Sequence, residues 1–317
     1  MGARKYLMHS FKGGAGRTVS TANLAYSLAV QRGKRVLLID LDLESAGSSV
    51  LFGIEKEVDS GDVWTIQDVF RGIHQTIRDG HASEESVNIG THDFEQKVWP
   101  NLHRTIYESA DHTAYLKIIA ASTTLKSSDE IKSGPRPGAK LELLMRRIDG
   151  LTNAPDFILF DSASGIQDTA VLGLQRCDDL VVFARWSRQF IYGTSQVLRK
   201  YVASNAAGRR ISRVFVIPTA VPDERPPAGY LRDELRSREE MLDDAIARAN
   251  QEGKLNFEHG PGWISRLPPV HECDSLKWDD RVFLMDAKRY RNDVQVQKLL
   301  KDYSDIADAL FGKTGAA

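Results

Sequence analysis

The sequence predicts an α/β protein with a doubly wound, mostly parallel sheet flanked by helices. Three observations predict it. Short apolar runs recur at 6–11 (YLMHSF), 35–43 (RVLLIDLDL), 116–120 (LKIIA), 157–160 (FILF), 180–184 (LVVFA) and 214–217 (VFVI). Near-continuous apolar runs of this length are what parallel strands covered on both faces require. Segments with apolar residues at helical spacing lie between them, and such alternation puts helices on both faces of a parallel sheet. Lastly, the first 43 residues read as strand, glycine-rich loop, helix and strand, a βαβ unit.

Taken in order, the opening strand ends at a loop containing Gly13, Gly14 and Gly16. A helix over 18–31 follows, with Leu24, Ala25, Leu28 and Ala29 on one face and Gly33 as its C-terminal cap. Further helical stripes are Leu141, Leu144, Met145 and Ile148, then Val197, Leu198, Tyr201 and Val202. The longest runs through Val296, Leu299, Leu300, Tyr303, Ile306, Ala307 and Leu310. Its polar face mixes both charges, which suits a helix packed on the sheet better than one lying on a membrane.

The 317 residues are expected to form one domain, with insertions at about 83–112 and 222–253. The first insertion is polar and histidine-bearing. In the second, the turn ERPPAG leads into a charge-laced helical stretch, DELRSREEMLDDAIARANQEG. Partner specificity would sit in such excursions, although the charge spacing of the second suits a solvated surface helix better.

Composition narrows the function classes. Lys and Arg number 42 against 43 Asp and Glu, a net charge of −1 that calls for neither nucleic acid nor an anionic membrane. The two cysteines, Cys177 and Cys273, form no CxxC, which argues against a disulfide framework, a zinc ribbon or an iron–sulfur cluster. The N-terminal MGARKYLMHSF lacks the apolar run of a signal peptide, and no stretch reaches the roughly 20 apolar residues of a membrane span. A cytoplasmic location is expected.

The chemistry concentrates in FKGGAGRT, residues 11–18. Consecutive backbone N–H groups at a helix N-terminus cradle phosphate, and glycines allow the dihedrals and the close approach this needs. Against the pattern G-x-x-x-x-G-K-[ST], Phe11 stands at the first glycine and Arg17 at the lysine, while Thr18 keeps the magnesium-binding hydroxyl. Acids recur where a phosphate site needs them: Asp40 and Asp42 at the end of one predicted strand, Asp161 at the end of another. A lone Asp in such a place is usually a turn or cap residue, and His9 beside the loop reads as a strand residue. Three acids in register with a glycine loop favour a functional site.

On these residues the chain resembles the deviant Walker A ATPases of the ParA and MinD family, P-loop NTPases of the SIMIBI class. KGGAGRT matches that family's KGGxGKT loop, LLIDLDL its D-x-D, and DSASG, 161–165, its D-x-x-x-G. VVFARWSRQFIYGTSQVLRKY and WISRLPPVHECDSL match later segments more loosely, so the likeness spans most of the chain. The resemblance implies an ATP site cradled by Gly13, Gly14, Ala15, Gly16, Arg17, Thr18 and Val19. It implies Mg²⁺ held by Thr18 and Asp161 with support from Asp40. Asp42 would orient the attacking water, and Lys12 would reach across a dimer to the other subunit's phosphates. The chain departs from the family at Leu43, Ala163 and Ser164, which replace usual prolines, and no base-reading asparagine stands near Pro218 and Thr219.

Arg17 carries a permanent charge on a fork able to hold two phosphate oxygens, so nucleotide binding is expected to survive its presence. The expected function is an ATP-dependent dimerising switch with slow, partner-stimulated hydrolysis to ADP and phosphate, the protein partner being encoded alongside. The alternative is an adaptor that has lost turnover and uses ATP to fix its dimer. A tyrosine-kinase relative on a similar core is disfavoured by the tail FGKTGAA. Nonspecific DNA binding has one modest candidate surface, Lys277, Arg281, Lys288, Arg289 and Arg291, interrupted by Asp279, Asp280 and Asp286.

Overall fold

The structure, a computed structural model, describes residues 2–45, 47–71, 91–122, 137–165, 168–205, 211–222, 229–257, 263–274, 282 and 284–312. Among the described residues nine strands form one sheet: β1 (Arg4–Ser10), β2 (Arg35–Leu41), β3 (Arg104–Glu108), β4 (Tyr115–Ile119), β5 (Phe157–Ser162), β6 (Asp179–Arg185), β7 (Arg213–Val221), β8 (Ile264–Arg266) and β9 (Val270–His271). Their order is β3-β4-β2-β5-β1-β6-β7-β8, with β9 also on β7. Every pairing is parallel except β3 with β4. The doubly wound α/β fold is therefore present, and β1 sits between β5 and β6.

Helix α1 (Arg17–Tyr26) follows β1, and the short α2 (Gly47–Leu51) follows β2 and contacts α1. Alternation along β1 divides the core in two. Leu7 points to one face with Leu37, Ile39, Ile158 and Phe160. That face is covered by α3 (Pro137–Asp149), α4 (Asp168–Leu174), α5 (Arg188–Asn205) and α6 (Gly229–Phe257). Tyr6 and Met8 point to the other face, where α1, the turn that follows it and α7 (Val294–Phe311) pack through Leu24, Leu28, Val296, Leu299 and Ile306. Asp293 caps α7 by accepting from the amides of Gln295 and Val296.

Several expectations shift in detail. The helix expected over 18–31 is regular only to Tyr26, then opens into a wider π-type turn, Ser27–Gln31. Gly33 does take the left-handed conformation, at φ 60°. Three strands have no counterpart among the apolar runs: β3, an antiparallel edge strand with only partly buried side chains, and the two- and three-residue β9 and β8. None carries the pattern that marks a covered parallel strand.

Of the polar segment 83–112, residues 83–90 lie outside the described residues. The remainder buries Phe94, Val98, Trp99 and Leu102 in the core and then forms β3. Residues 223–228 also lie outside them, and α6 follows, burying Leu242, Ile246 and Ala249 while its opposite side stays charged and exposed. Among the described residues no helix is long and apolar enough to cross a membrane.

Candidate functional site

Between the end of β1 at Ser10 and the start of α1 at Arg17, the chain turns back over the carboxyl edge of the sheet. Gly14 and Gly16 adopt φ 80° and 73°. Side chains other than glycine rarely take that conformation, so both glycines are demanded by the turn itself. A Cβ at Gly13, Gly14 or Gly16 would meet nothing within 4 Å, so the loop is open on its outer side. There it borders a cleft of about 440 Å³, completed by Thr18, Asp42, Glu44, Ser45, Ala163 and Ser164.

Neighbouring strands hold the loop. Thr219 Oγ1 at the end of β7 donates to the carbonyl of Ala15 at 2.7 Å, and Arg185 Nη1 at the end of β6 donates to that of Gly14 at 2.9 Å. The amide of Gly165, beyond β5, donates to the Ser10 carbonyl at 2.9 Å. Phe11, where a strict phosphate loop has glycine, packs against Gly193 of α5, which has no side chain to obstruct it. Arg185 and Gly193 fall within the segment VVFARWSRQFIYGTSQVLRKY, but no motif singles out Arg185, Gly193 or Thr219 as a partner of the loop. A glycine inside a helical pattern does signal close approach of another group, and Gly193 is such a signal.

The acids come from adjacent strands. Asp40 in β2 and Asp161 in β5 are register partners, and Asp42 follows β2 directly. Arg17 reaches two of the three: Nε is 2.6 Å from Asp161 Oδ1 and Nη2 is 2.7 Å from Asp42 Oδ2. Nη2 also donates to Thr18 Oγ1 at 3.2 Å. The guanidinium is buried, with 7% side-chain exposure. Burial works against its charge, but Asp161 and Asp42 outweigh that and raise its pKa. Burial pushes the Asp161 carboxyl up, opposed by the charge of Arg17 and the nearby Thr18 hydroxyl.

Asp40 does different work. Its Oδ1 accepts from the Asp42 amide at 2.8 Å, and its Oδ2 accepts from the hydroxyl and the amide of Ser48 in α2. Both oxygens thus fix the turn that carries Asp42. Burial pushes the Asp40 pKa up to about 7, with Asp161 adding to the effect and the Ser48 hydroxyl opposing it. His9 is wholly buried in β1, its Nδ1 2.9 Å from Ser162 Oγ, and burial lowers it to about 3. Lys12 is exposed at the rim of the loop, Ala15 is buried beneath it, and Val19 is half-buried in the first turn of α1.

The residues present fit a magnesium ion. Asp161 Oδ2 is buried and has no hydrogen-bond partner among the described residues, and it lies in the same site as the Thr18 hydroxyl, both hard oxygen donors. Among the described residues no group of three or more His, Cys, Asp or Glu side chains could hold a metal unaided. Mg²⁺ is ordinarily held by one or two protein oxygens together with phosphate and water, and Asp161 and Thr18 offer such oxygens. Cys177 is buried and Cys273 half-buried, and they form no disulfide.

A glycine-turned loop at a helix N-terminus, beside acids from two neighbouring parallel strands, is an arrangement with which α/β proteins bind phosphate. The chain belongs to the AAA_31 family, described as an AAA domain, whose model matches residues 3–205, from the start of β1 to the end of α5. It is 42% identical over 83 residues to a Rhizobium rhizogenes protein named as replication protein A, a match covering 22% of this chain and only 20% of that relative. Among solved structures it is similar to the ATP complex of a variant of Cyanothece McdA, with a TM-score of 0.67 and 15% identity over 99% of each chain. It is also similar to the septum site-determining protein MinD of Pyrococcus horikoshii OT3 complexed with Mg-ADP, with a TM-score of 0.59 and 20% identity, covering 99% of this chain and 100% of that one. The fold is thus that of ParA/MinD-type P-loop ATPases.

Lys277 and Arg281 of the candidate DNA surface lie outside the described residues. Lys288, Arg289 and Arg291 are exposed in the turns before α7.

Proposed function

We propose that the protein is an ATP-binding switch that dimerises with ATP and hydrolyses it slowly to ADP and phosphate under the stimulus of a protein partner. One observation carries this reading: the open loop of Gly13, Gly14 and Gly16 shares one cleft with Thr18 and Asp42, and Arg17 links Asp42 to the buried Asp161. The loop amides and the N-terminus of α1 bind the phosphates, with Ala15 and Val19 shaping the turn. Arg17 grips phosphate oxygens through its fork. Thr18 and Asp161 would hold Mg²⁺, which when bound neutralises phosphate charge. Asp40 supports the arrangement by fixing the turn after β2. Asp42 orients the attacking water, and Lys12, exposed at the rim, reaches the phosphates held by the other subunit.

Support for an ATP ligand comes from the McdA and MinD neighbours, which hold ATP and Mg-ADP. A cytoplasmic site of action accords with the lack of a membrane-crossing helix among the described residues. The test is molecular mass in solution with ADP, with ATP and with a non-hydrolysable analogue. A dimer with the last two and a monomer with ADP is the expected result, and an unchanging mass sinks the switch.

The second reading, an adaptor that binds ATP without turning it over, has its own observation. Arg17 engages the same two acids that hydrolysis needs. Phosphate release above that of an Asp42→Ala variant, with and without partner, excludes the adaptor.

A further inference from the structure

We infer that Arg17 is a two-position latch, in which one guanidinium alternates between the carboxylate pair and phosphate and so competes with the divalent cation for Asp161 and with the attacking water for Asp42. The inference rests on the proposed nucleotide site and adds a regulation of it. Three contacts carry it: Nε to Asp161 Oδ1 at 2.6 Å, Nη2 to Asp42 Oδ2 at 2.7 Å, and Nη2 to Thr18 Oγ1 at 3.2 Å. These partners are the groups that would hold the cation and the water.

The choice of arginine matters. A lysine ammonium is a point charge on a flexible stem, whereas a guanidinium presents donors along two edges and spans two acids at once. Here Nε and Nη2 face different carboxylates. The cluster buries two acids with one permanent cation, and neither acid is more than 12% exposed. A cation approaching Asp161 therefore meets a positive charge already in place. Conversely, Arg17 reaches phosphate only by leaving both acids, which a bound cation then compensates. Phosphate and cation are thus admitted together, and either alone is disfavoured by linkage.

The experiment measures Mn²⁺ binding to nucleotide-free protein by the electron paramagnetic resonance signal of the free ion. Wild type is compared with Arg17→Gln and Arg17→Lys, and circular dichroism melts check folding. The Gln variant is expected to bind Mn²⁺ at least about tenfold more tightly than wild type, equivalent to about 1.4 kcal/mol of relieved competition, with the Lys variant between them. Equal affinity in all three proteins overturns the latch. If Arg17→Gln does not fold, Arg17→Lys decides alone, and affinity equal to wild type counts against the latch. Binding of Mg-ATP to wild type is measured in parallel. ATP uptake with unchanged Mn²⁺ affinity removes the latch and leaves the nucleotide site standing, whereas tighter Mn²⁺ binding by the variants without ATP uptake by wild type removes the nucleotide site and, with it, phosphate as the latch's second position.

Discussion

The ring of Phe11 occupies the space that a side chain at Gly193 would need: a Cβ there would lie 2.0 Å from the ring's Cδ1. The loop after β1 and helix α5 are therefore packed against each other through one phenylalanine and one glycine. Gly193→Ala is expected to cost about 1–3 kcal/mol, the usual range for overpacking, read as a lower denaturation midpoint. Phe11→Ala in the same chain should recover part of that loss. Two costs that simply add would show the contact to be energetically irrelevant.

Arg17 balances two buried carboxylates, so its removal leaves charge without compensation. Arg17→Ala is expected to lose about 3–5 kcal/mol of stability at neutral pH, as broken buried pairs do. With the guanidinium gone, the deficit should shrink as pH falls and the Asp161 carboxyl, raised by burial, takes up a proton. Urea titrations at about pH 5 and about pH 8 check this, and a deficit equal at both values contradicts it.

Asp40 is raised from 3.8 to about 7, so the folded protein holds a proton that the unfolded chain releases. Its contribution to stability is present in full below about pH 4 and is lost as pH rises through about 7. Asp161, also raised by burial, acts in the same sense. Asp40→Asn is expected to flatten the stability profile across that window. An unchanged slope would place the proton elsewhere.

His9 has the opposite sign. Burial lowers it from 6.5 to about 3, so the unfolded chain takes up the proton first. Stability from neutral His9 is full above about pH 6.5 and is lost as pH falls toward about 3. His9→Gln should weaken this acid limb, as measured by thermal melts from about pH 7 to about pH 4. An acid limb as steep as that of wild type would assign it to other groups.

Lys12 is exposed, and exposed substitutions away from special features usually change stability by no more than about 0.5 kcal/mol. Lys12→Ala is therefore expected to melt like wild type while losing the ATP-dependent dimer in sedimentation velocity. A dimer that survives the change means the lysine does not act across the subunits.

Much of this architecture is legible in the sequence. The runs at Val36 to Ile39 and Leu180 to Ala184 have no polar face to hide, the pattern of a covered parallel strand. β3 escapes because an edge strand with a half-solvated face, RTIYE, looks like its polar surroundings. At the site, glycines and acids declare themselves through residue type and order. Arg17 is visible as a departure from the phosphate-loop pattern, but its engagement with Asp42 and Asp161 is not. That depends on β2 and β5, distant in the chain, lying side by side. The family resemblance groups Asp40 with the metal ligands, while its contacts with Ser48 and the Asp42 amide emerge only from the fold.

Isothermal calorimetry of the full chain with Mg-ATP tests most directly whether a nucleoside triphosphate sits on the loop before α1. One ATP per chain is expected, with binding lost on replacing Gly16, whose φ of 73° a larger residue resists. No heat and no uptake of ATP or GTP by wild type, or equal binding by a Gly16→Val variant, would contradict it.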